Sequence, residues 1–213
     1  MAQDDVTDLP TTVHASDQEF PKSAPLDRGT AGPLDDAEAG AVKPAVDLGS
    51  LRIEPKRGMQ LRLEIEKTSQ RVIAVTLEFD GSSLQLQPFA APRSFGLWHG
   101  IRAQIMEQIV KQGGQATEQE GPFGPEVKAV VPVQTSGSFG TRDVRFVGVD
   151  GPRWFLRGVI GGQAATDPEA AETIHAMLRS VVVVRGSTPM PPRDLLPLSV
   201  PAAPEENPSQ KEA

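Results

Sequence analysis

The densest run of side chains able to do chemistry is Arg142-Asp-Val-Arg-Phe-Val-Gly-Val-Asp-Gly-Pro-Arg-Trp-Phe-Leu-Arg-Gly-Val-Ile-Gly-Gly162. A guanidinium presents planar, paired N–H donors that match the oxygens of phosphate and carboxylate. Here Arg145, Arg153 and Arg157 are interleaved with Val, Phe and Trp. If Asp150-Gly-Pro152 is a three-residue turn, strict alternation places Val144, Phe146, Trp154, Leu156 and Ile160 on a core face. Arg145, Arg153 and Arg157 then share the other face with Val147, Val149 and Phe155. In that register Arg145 and Arg157 stand nearly opposite, which is unfavourable unless an acid or a ligand lies between them. Such a face has the composition of a protein interface or an anion pocket. The plainer alternative is that these arginines serve ordinary ion pairs with acids of the same sheet. A two-residue turn would shift the pairing and dissolve the cluster.

Other candidates are weaker. Gly121-Pro-Phe-Gly-Pro125 holds Phe123 on a stiff loop, either as an exposed contact or folded inward to plug the end of a sheet. His99 and His175 fall on helices and His14 in the N-terminal arm. An imidazole serves as general base where a carboxylate or nucleophile is spaced to orient it; none is, so polar boundary positions are the plainer reading. Glu64 and Glu66 share a strand face, but Arg62 and Lys67 flank them as on a solvated charged surface. Zero cysteines remove disulfides, thiolate metal sites and a Cys nucleophile. No P-loop, G-x-G-x-x-G, G-x-S-x-G, H-E-x-x-H or EF-hand loop occurs. No catalytic residue, cofactor or metal ligand is therefore assigned, and the balance leans away from an enzyme.

The elements that must position these residues can be read from period and punctuation. Leu61, Leu63 and Ile65 alternate with Arg62, Glu64 and Glu66; Ile73, Val75, Leu77 and Phe79 repeat the pattern; Asp80-Gly81 suits a tight hairpin; and Ser83 to Gln87 returns with Leu84 and Leu86 inward. This is an antiparallel meander. Leu97, Trp98, Ile101, Ile105, Met106 and Ile109 then fall at helical spacing, with Ser94 as the expected cap and Gly113-Gly114 as the stop. Further strands are expected at 115–120, 127–133, 143–149 and 154–160. Thr166-Asp-Pro-Glu169 combines a capping box with a proline in the first turn of a second helix, buried through Ala171, Ile174, Leu178 and Val181. The expected class is α+β: an antiparallel sheet, a meander plus a second hairpin set, covered by two main helices.

The ends differ in composition. Residues 1–45 hold nine acids against three bases with aperiodic apolar residues, and are expected to be a disordered acidic arm. Residues 46–186 are expected to form the globular domain. The seven prolines after Gly186 exclude regular structure; residues 187–201, with Leu195, Leu196 and Leu198, are expected to lie on the domain as an extended strap, and 202–213 to be a disordered tail. The formal charge of -7 belongs to these ends, since residues 46–200 carry 16 acids and 17 bases. A near-neutral body with acidic ends gives no general attraction to polyanions, so nucleic acid is not an expected partner. No apolar run approaches a membrane span, and Met1-Ala-Gln-Asp-Asp lacks the features of a signal peptide, so a cytoplasmic protein is the expectation.

Val46-Asp-Leu-Gly-Ser-Leu-Arg-Ile, Gly58-Met-Gln-Leu, the Gly121-Pro-Phe-Gly motif, the Gly148-to-Gly158 hairpin and the closing Leu195-Leu-Pro-Leu together resemble an uncharacterised actinobacterial family, domain of unknown function 3710. The resemblance covers residues 46–201 and implies a small cytoplasmic protein without an assigned activity. The order of elements is in turn similar to the α/β/α arrangement of the Mog1/PsbP superfamily, and fold alone does not give function. Two functional expectations follow. The first is a non-enzymatic protein-interaction or regulatory module that meets an unknown protein partner through Arg145, Arg153, Arg157 and Phe123. The alternative is a binder of a small anion or nucleotide using the same arginines, or a weak nucleic-acid-associated factor.

Overall fold

Apolar residues at every second position need a sheet, and here they build two. The computed structural model describes residues 19–40, 45–135 and 138–201. Along the chain come α1 (Arg28–Ala31), β1 (Leu34–Asp35), β2 (Val46–Asp47), β3 (Leu51–Ile53), β4 (Gln60–Ile65), β5 (Val72–Phe79), β6 (Ser82–Ala90), α2 (Trp98–Lys111), β7 (Gln115–Gly121), β8 (Gly124–Thr135), β9 (Ser138–Asp150), β10 (Trp154–Gly162), α3 (Pro168–Arg179) and β11 (Val182–Val183). The large sheet has the order β4-β5-β6-β10-β9-β8-β7, and its neighbours are all antiparallel. A small sheet, β1-β11-β3-β2, lies beside it, with β1 and β11 parallel. The expected α+β class holds.

The meander forms as its pattern dictates. Leu61 pairs with Leu77 and Leu77 with Leu84, and the turn between β5 and β6 uses Asp80 at φ 46° and Gly81 at φ 70°. Two successive left-handed residues give the turn whose twist matches a hairpin.

Strands β9 and β10 are apolar on both faces, so each face needs a cover. Val147, Val149, Trp154, Leu156 and Ile160 pack with Ala171, Ile174 and Leu178 of α3. Val127, Ala129, Val144, Phe146 and Phe155 pack with Trp98, Ile101, Ile105 and Ile109 of α2. The sheet is thus the middle layer between one helix on each side. Trp98 and Trp154 are fully buried, one per face, and burial of side chains of this size stabilises by about 2–3 kcal/mol each.

The helix starts differ from the sequence reading in an informative way. Ser94 does not cap α2. The helix begins at Trp98, and its first free N–H groups are met from across the fold: Leu97 N–H donates to Asp150 Oδ1 at 2.8 Å and Trp98 N–H to Oδ2 at 3.4 Å. Helix α3 is capped locally, Asp167 accepting from Glu169 N–H at 2.9 Å with Pro168 in its first turn. The cap is Asp167, one residue later than a box starting at Thr166.

Residues 19–40, assigned from composition to a disordered acidic arm, lie against the body, which corrects that reading for this segment. Phe20 stacks on His99 with ring centroids 3.8 Å apart. Lys22 Nζ donates to the carbonyls of Pro92, Gly151 and Pro152, and Ser23 N–H donates to Asp150 Oδ2 at 3.0 Å. Asp35 Oδ2 accepts from Trp154 Nε1 at 2.8 Å. The segment is held by these single anchors and by the pairing of the two-residue strand β1 with β11, rather than by a repeating apolar face, so no period betrays it. Residues 1–18 and 41–44, the remainder of that expected arm, and the expected 202–213 tail lie outside the described residues.

After Gly186 the chain runs along β6. Arg193 N–H donates to Ala90 O at 2.7 Å, Ala90 N–H to Asp194 O at 2.8 Å and Leu196 N–H to Pro88 O at 2.9 Å. These bonds occupy the edge of β6 that β5 leaves once its pairing ends at Val75 and Leu86. Leu196 is fully buried.

Candidate functional site

The β9–β10 hairpin closes differently from the three-residue turn. Phe155 pairs with Asp150, Leu156 with Val149, Arg157 with Gly148 and Ile160 with Arg145. Gly151 N–H donates to Trp154 O at 2.8 Å, which leaves Pro152-Arg153 as a two-residue turn. Three contacts favour this register. Asp150 is committed in the strand to capping α2. A Cβ at Gly151 would collide with the Trp154 ring, and one at Gly148 with Trp98. The result dissolves the predicted arginine face: Arg145 and Arg157 lie on opposite sides of the sheet, and Trp154, Leu156 and Ile160 share a face with Val147 and Val149.

On the α3 side, Arg145 makes a bidentate pair with Glu126, Nε to Oε1 at 2.9 Å and Nη2 to Oε2 at 3.0 Å. Glu126 is 1% exposed and takes a further bond from Gln119 Nε2 at 2.7 Å. His175 Nε2 stands 3.3 Å from Arg145 Nη2. Because a guanidinium only donates, that nitrogen must be unprotonated to accept. Burial, and then the charge of Arg145, hold the His175 pKa below its ordinary value. Phe123 is not an exposed contact. It is buried, meets the His175 ring edge-on at 5.7 Å, and has the Arg179 guanidinium 5.2 Å from its centroid. Arg145 and Phe123 are therefore internal structure.

On the α2 side, Arg157 is buried and donates through Nη2 to Gln87 Oε1, while Gln87 Nε2 donates to Ile73 O at 2.9 Å. Burial pulls its pKa down to about 10, with the Glu64 charge opposing. Glu64 Oε1 accepts from Thr76 Oγ1 at 2.6 Å and Gln85 Nε2 at 2.7 Å. This row of Glu64, Thr76, Gln85, Gln87 and Arg157 crosses four strands beside α2, so Glu64 belongs to a polar network rather than to a solvated face.

Arg153 alone of the three is on the surface, at the turn, where Nη2 donates to Gly186 O at 3.0 Å. Two arginines that sequence reasoning missed share this end of the molecule: Arg185, which donates through Nη1 to Thr188 O at 3.0 Å, and Arg193, bound through its backbone to Ala90. Their only sequence signal is basic character inside a proline-rich stretch. Lys22 was likewise hidden in the N-terminal segment. Burial raises the pKa of Asp150, against the pull of its three backbone donors and Lys22.

At the opposite end of β9 lies a second missed feature. Strand β7 stops pairing with β8 at Val130, and β10 stops pairing with β9 at Arg145. Strands β8 and β9 continue together through Val131–Arg142, Pro132–Thr141, Val133–Gly140, Gln134–Phe139 and Thr135–Ser138. This is a two-stranded arm beyond the sheet, and Phe139 on it is 86% exposed. Sequence reasoning ended these strands at Val133 and Asp143, because Gln134-Thr-Ser-Gly-Ser reads as loop.

Among the described residues there is no cluster of three metal-ligating side chains, and no helix is long and apolar enough to cross a membrane. A shallow open depression of about 280 Å³ at the β5–β6 turn is lined by Phe79, Asp80, Gly81 and Gly162 among others.

No curated protein matches this chain. A solved structure that is similar to it is cyanobacterial PsbP (CyanoP) from Synechocystis sp. PCC 6803, at 12% sequence identity and a TM-score of 0.38, covering 71% of this chain and 99% of that one. The model of one family, described as protein of unknown function (DUF3710), matches residues 32–207, most of the β-sheet body together with the segment beside Trp154 and the run along β6, and the chain belongs to that family.

Proposed function

We propose that the protein is a non-enzymatic interaction module whose contact element is the projecting end of the β8–β9 hairpin. The observation that supports this reading is the exposure of Phe139 on a ribbon that leaves the sheet. A two-stranded ribbon is marginal in water unless something else supports it, and an aromatic ring there adds nothing to the core. Pro132 removes one backbone donor from the ribbon, which limits uncontrolled pairing along it. What remains is an aromatic anchor of the type that dominates protein interfaces. An arginine face does not support the reading, because Arg145 and Arg157 are engaged inside the fold.

The test is capture from a lysate of the native cells with wild type and Phe139→Ser as parallel baits, both shown to be folded. A stoichiometric partner recovered by wild type and lost with Phe139→Ser is expected. Equal recovery by the two baits, or no partner with wild type, contradicts the reading.

A further inference from the structure

At the other end of β9 the β9–β10 turn meets the segment that follows β11, and these two pieces of chain carry Arg153, Arg185 and Arg193, while the acids at the turn, Asp150 and Asp35, are engaged by N–H groups of Ser23, Leu97, Trp98 and Trp154. Arg153 accepts from Ala91 N–H through its carbonyl, and Arg193 donates its N–H to Ala90 O, so the two residues flank the end of β6, one on each of its edges. Arg153 Nη2 bonds Gly186 O, next in sequence to Arg185. Among the described residues no ion pair joins Arg153, Arg185 or Arg193 to a carboxylate. The one acid adjoining them in sequence, Asp194, has its carbonyl engaged by Ala90 N–H and is exposed.

Two further observations point to a missing acceptor. Arg185 Nε and Arg193 Nη1 are both buried and have no hydrogen-bond partner. A buried donor of a charged group is unfavourable until something accepts from it. Arg193 also holds φ at 75°, a left-handed backbone that non-glycine residues seldom adopt and that clusters at ligand-binding positions. The pKa of Arg185 is, in addition, held below its ordinary value, first by burial and then by the neighbouring charge of Arg153. Like charges held together in this way are relieved by an anion between them.

We propose that Arg153, Arg185 and Arg193 form a binding site for the phosphate group of a small soluble phosphorylated molecule. Guanidinium groups suit phosphate because their fork of N–H donors meets two oxygens at once. The site differs from the predicted arginine cluster, sharing only Arg153 with it, and it lies at the end of β9 opposite the Phe139 arm, so the two proposals succeed or fail separately.

The test is isothermal titration of the full chain with inorganic phosphate and with pyrophosphate at low ionic strength. The variants are Arg185→Gln/Arg193→Gln and, as a control on the far edge of the sheet, Arg62→Gln. Saturable binding by wild type and Arg62→Gln, weakened at least tenfold in the double variant, is expected, with affinity falling as salt is raised. If the double variant fails to fold, Arg185→Lys/Arg193→Lys, which keeps charge but loses the planar fork, should still weaken binding severalfold. Equal affinity in all variants, or no saturable binding by wild type, overturns the site. Binding to phosphatidylglycerol vesicles without binding to either soluble probe also overturns it, since that would make the patch a lipid-surface contact.

Discussion

Asp150 is the residue on which most of the local order depends. Its carboxylate takes the N–H groups of Ser23, Leu97 and Trp98, and so joins the N-terminal segment, the start of α2 and the β9–β10 turn. Asp150→Ala leaves three donors unmet, two of them buried, and a loss of about 2–4 kcal/mol in denaturant unfolding is expected. A loss under 0.5 kcal/mol would show that water replaces the carboxylate there. His175 carries a pH signature. Its folded pKa is lowered, so the unfolded chain binds its proton more readily, and stability that is fully present above the ordinary value of 6.5 is lost as pH falls toward the folded value. The groups facing His175 are Arg145, Glu126, Arg179 and Glu172. Unfolding of wild type at pH 7.5 and 5.5 should show a larger loss on acidification than His175→Gln, and an equal loss in both would contradict the assignment. At this scale the sequence was least informative: it identified Arg145, Arg153, Arg157 and Phe123 as interesting, but a two-residue turn in place of a three-residue one sent Arg145 and Arg157 to opposite faces and left Arg153 at the turn, while Phe123 folds inward beside His175.

The elements were more legible than their ends. The β5–β6 hairpin followed from alternation and Asp80-Gly81, and α3 from its Asp-Pro start, because both are local signals with local causes. The cap of α2 was invisible, since Asp150 lies 53 residues away from Leu97 along the chain. The hairpin arm was missed because its tip has loop composition and its length is decided by where its neighbours stop. The segment after Gly186 makes its own demand on stability. Leu196 is fully buried and the backbone from Arg193 to Leu196 occupies the free edge of β6. Ending the chain after Gly186 should therefore lower stability by about 2–5 kcal/mol, the range for emptying a buried leucine site, as read from the urea midpoint. An unchanged midpoint would mean that the edge is filled by something else.

For the whole molecule, composition correctly indicated a sheet with helices on it, because the count and periodicity of strands leave few ways to bury their faces. It misjudged residues 19–40, whose hold on the body comes from the two-residue strand β1 and from Phe20, Lys22, Ser23 and Asp35 one at a time. A chain beginning at residue 41 should be less stable than one beginning at residue 19 by about 3 kcal/mol, the sum of a few buried hydrogen bonds, with Trp154 fluorescence altered by loss of the Asp35 contact. Equal stability would reduce those contacts to surface decoration. Beyond stability, the molecule is organised around β9, with an aromatic arm at one end and an arginine-bearing turn at the other. The most direct test of the interaction reading is site-specific photo-crosslinking in the native cell, with a photoreactive phenylalanine analogue at Phe139 and, for comparison, at Arg62. The account predicts a discrete crosslinked partner from position 139 that is absent from position 62; no adduct at 139, or the same adducts from both positions, would contradict it.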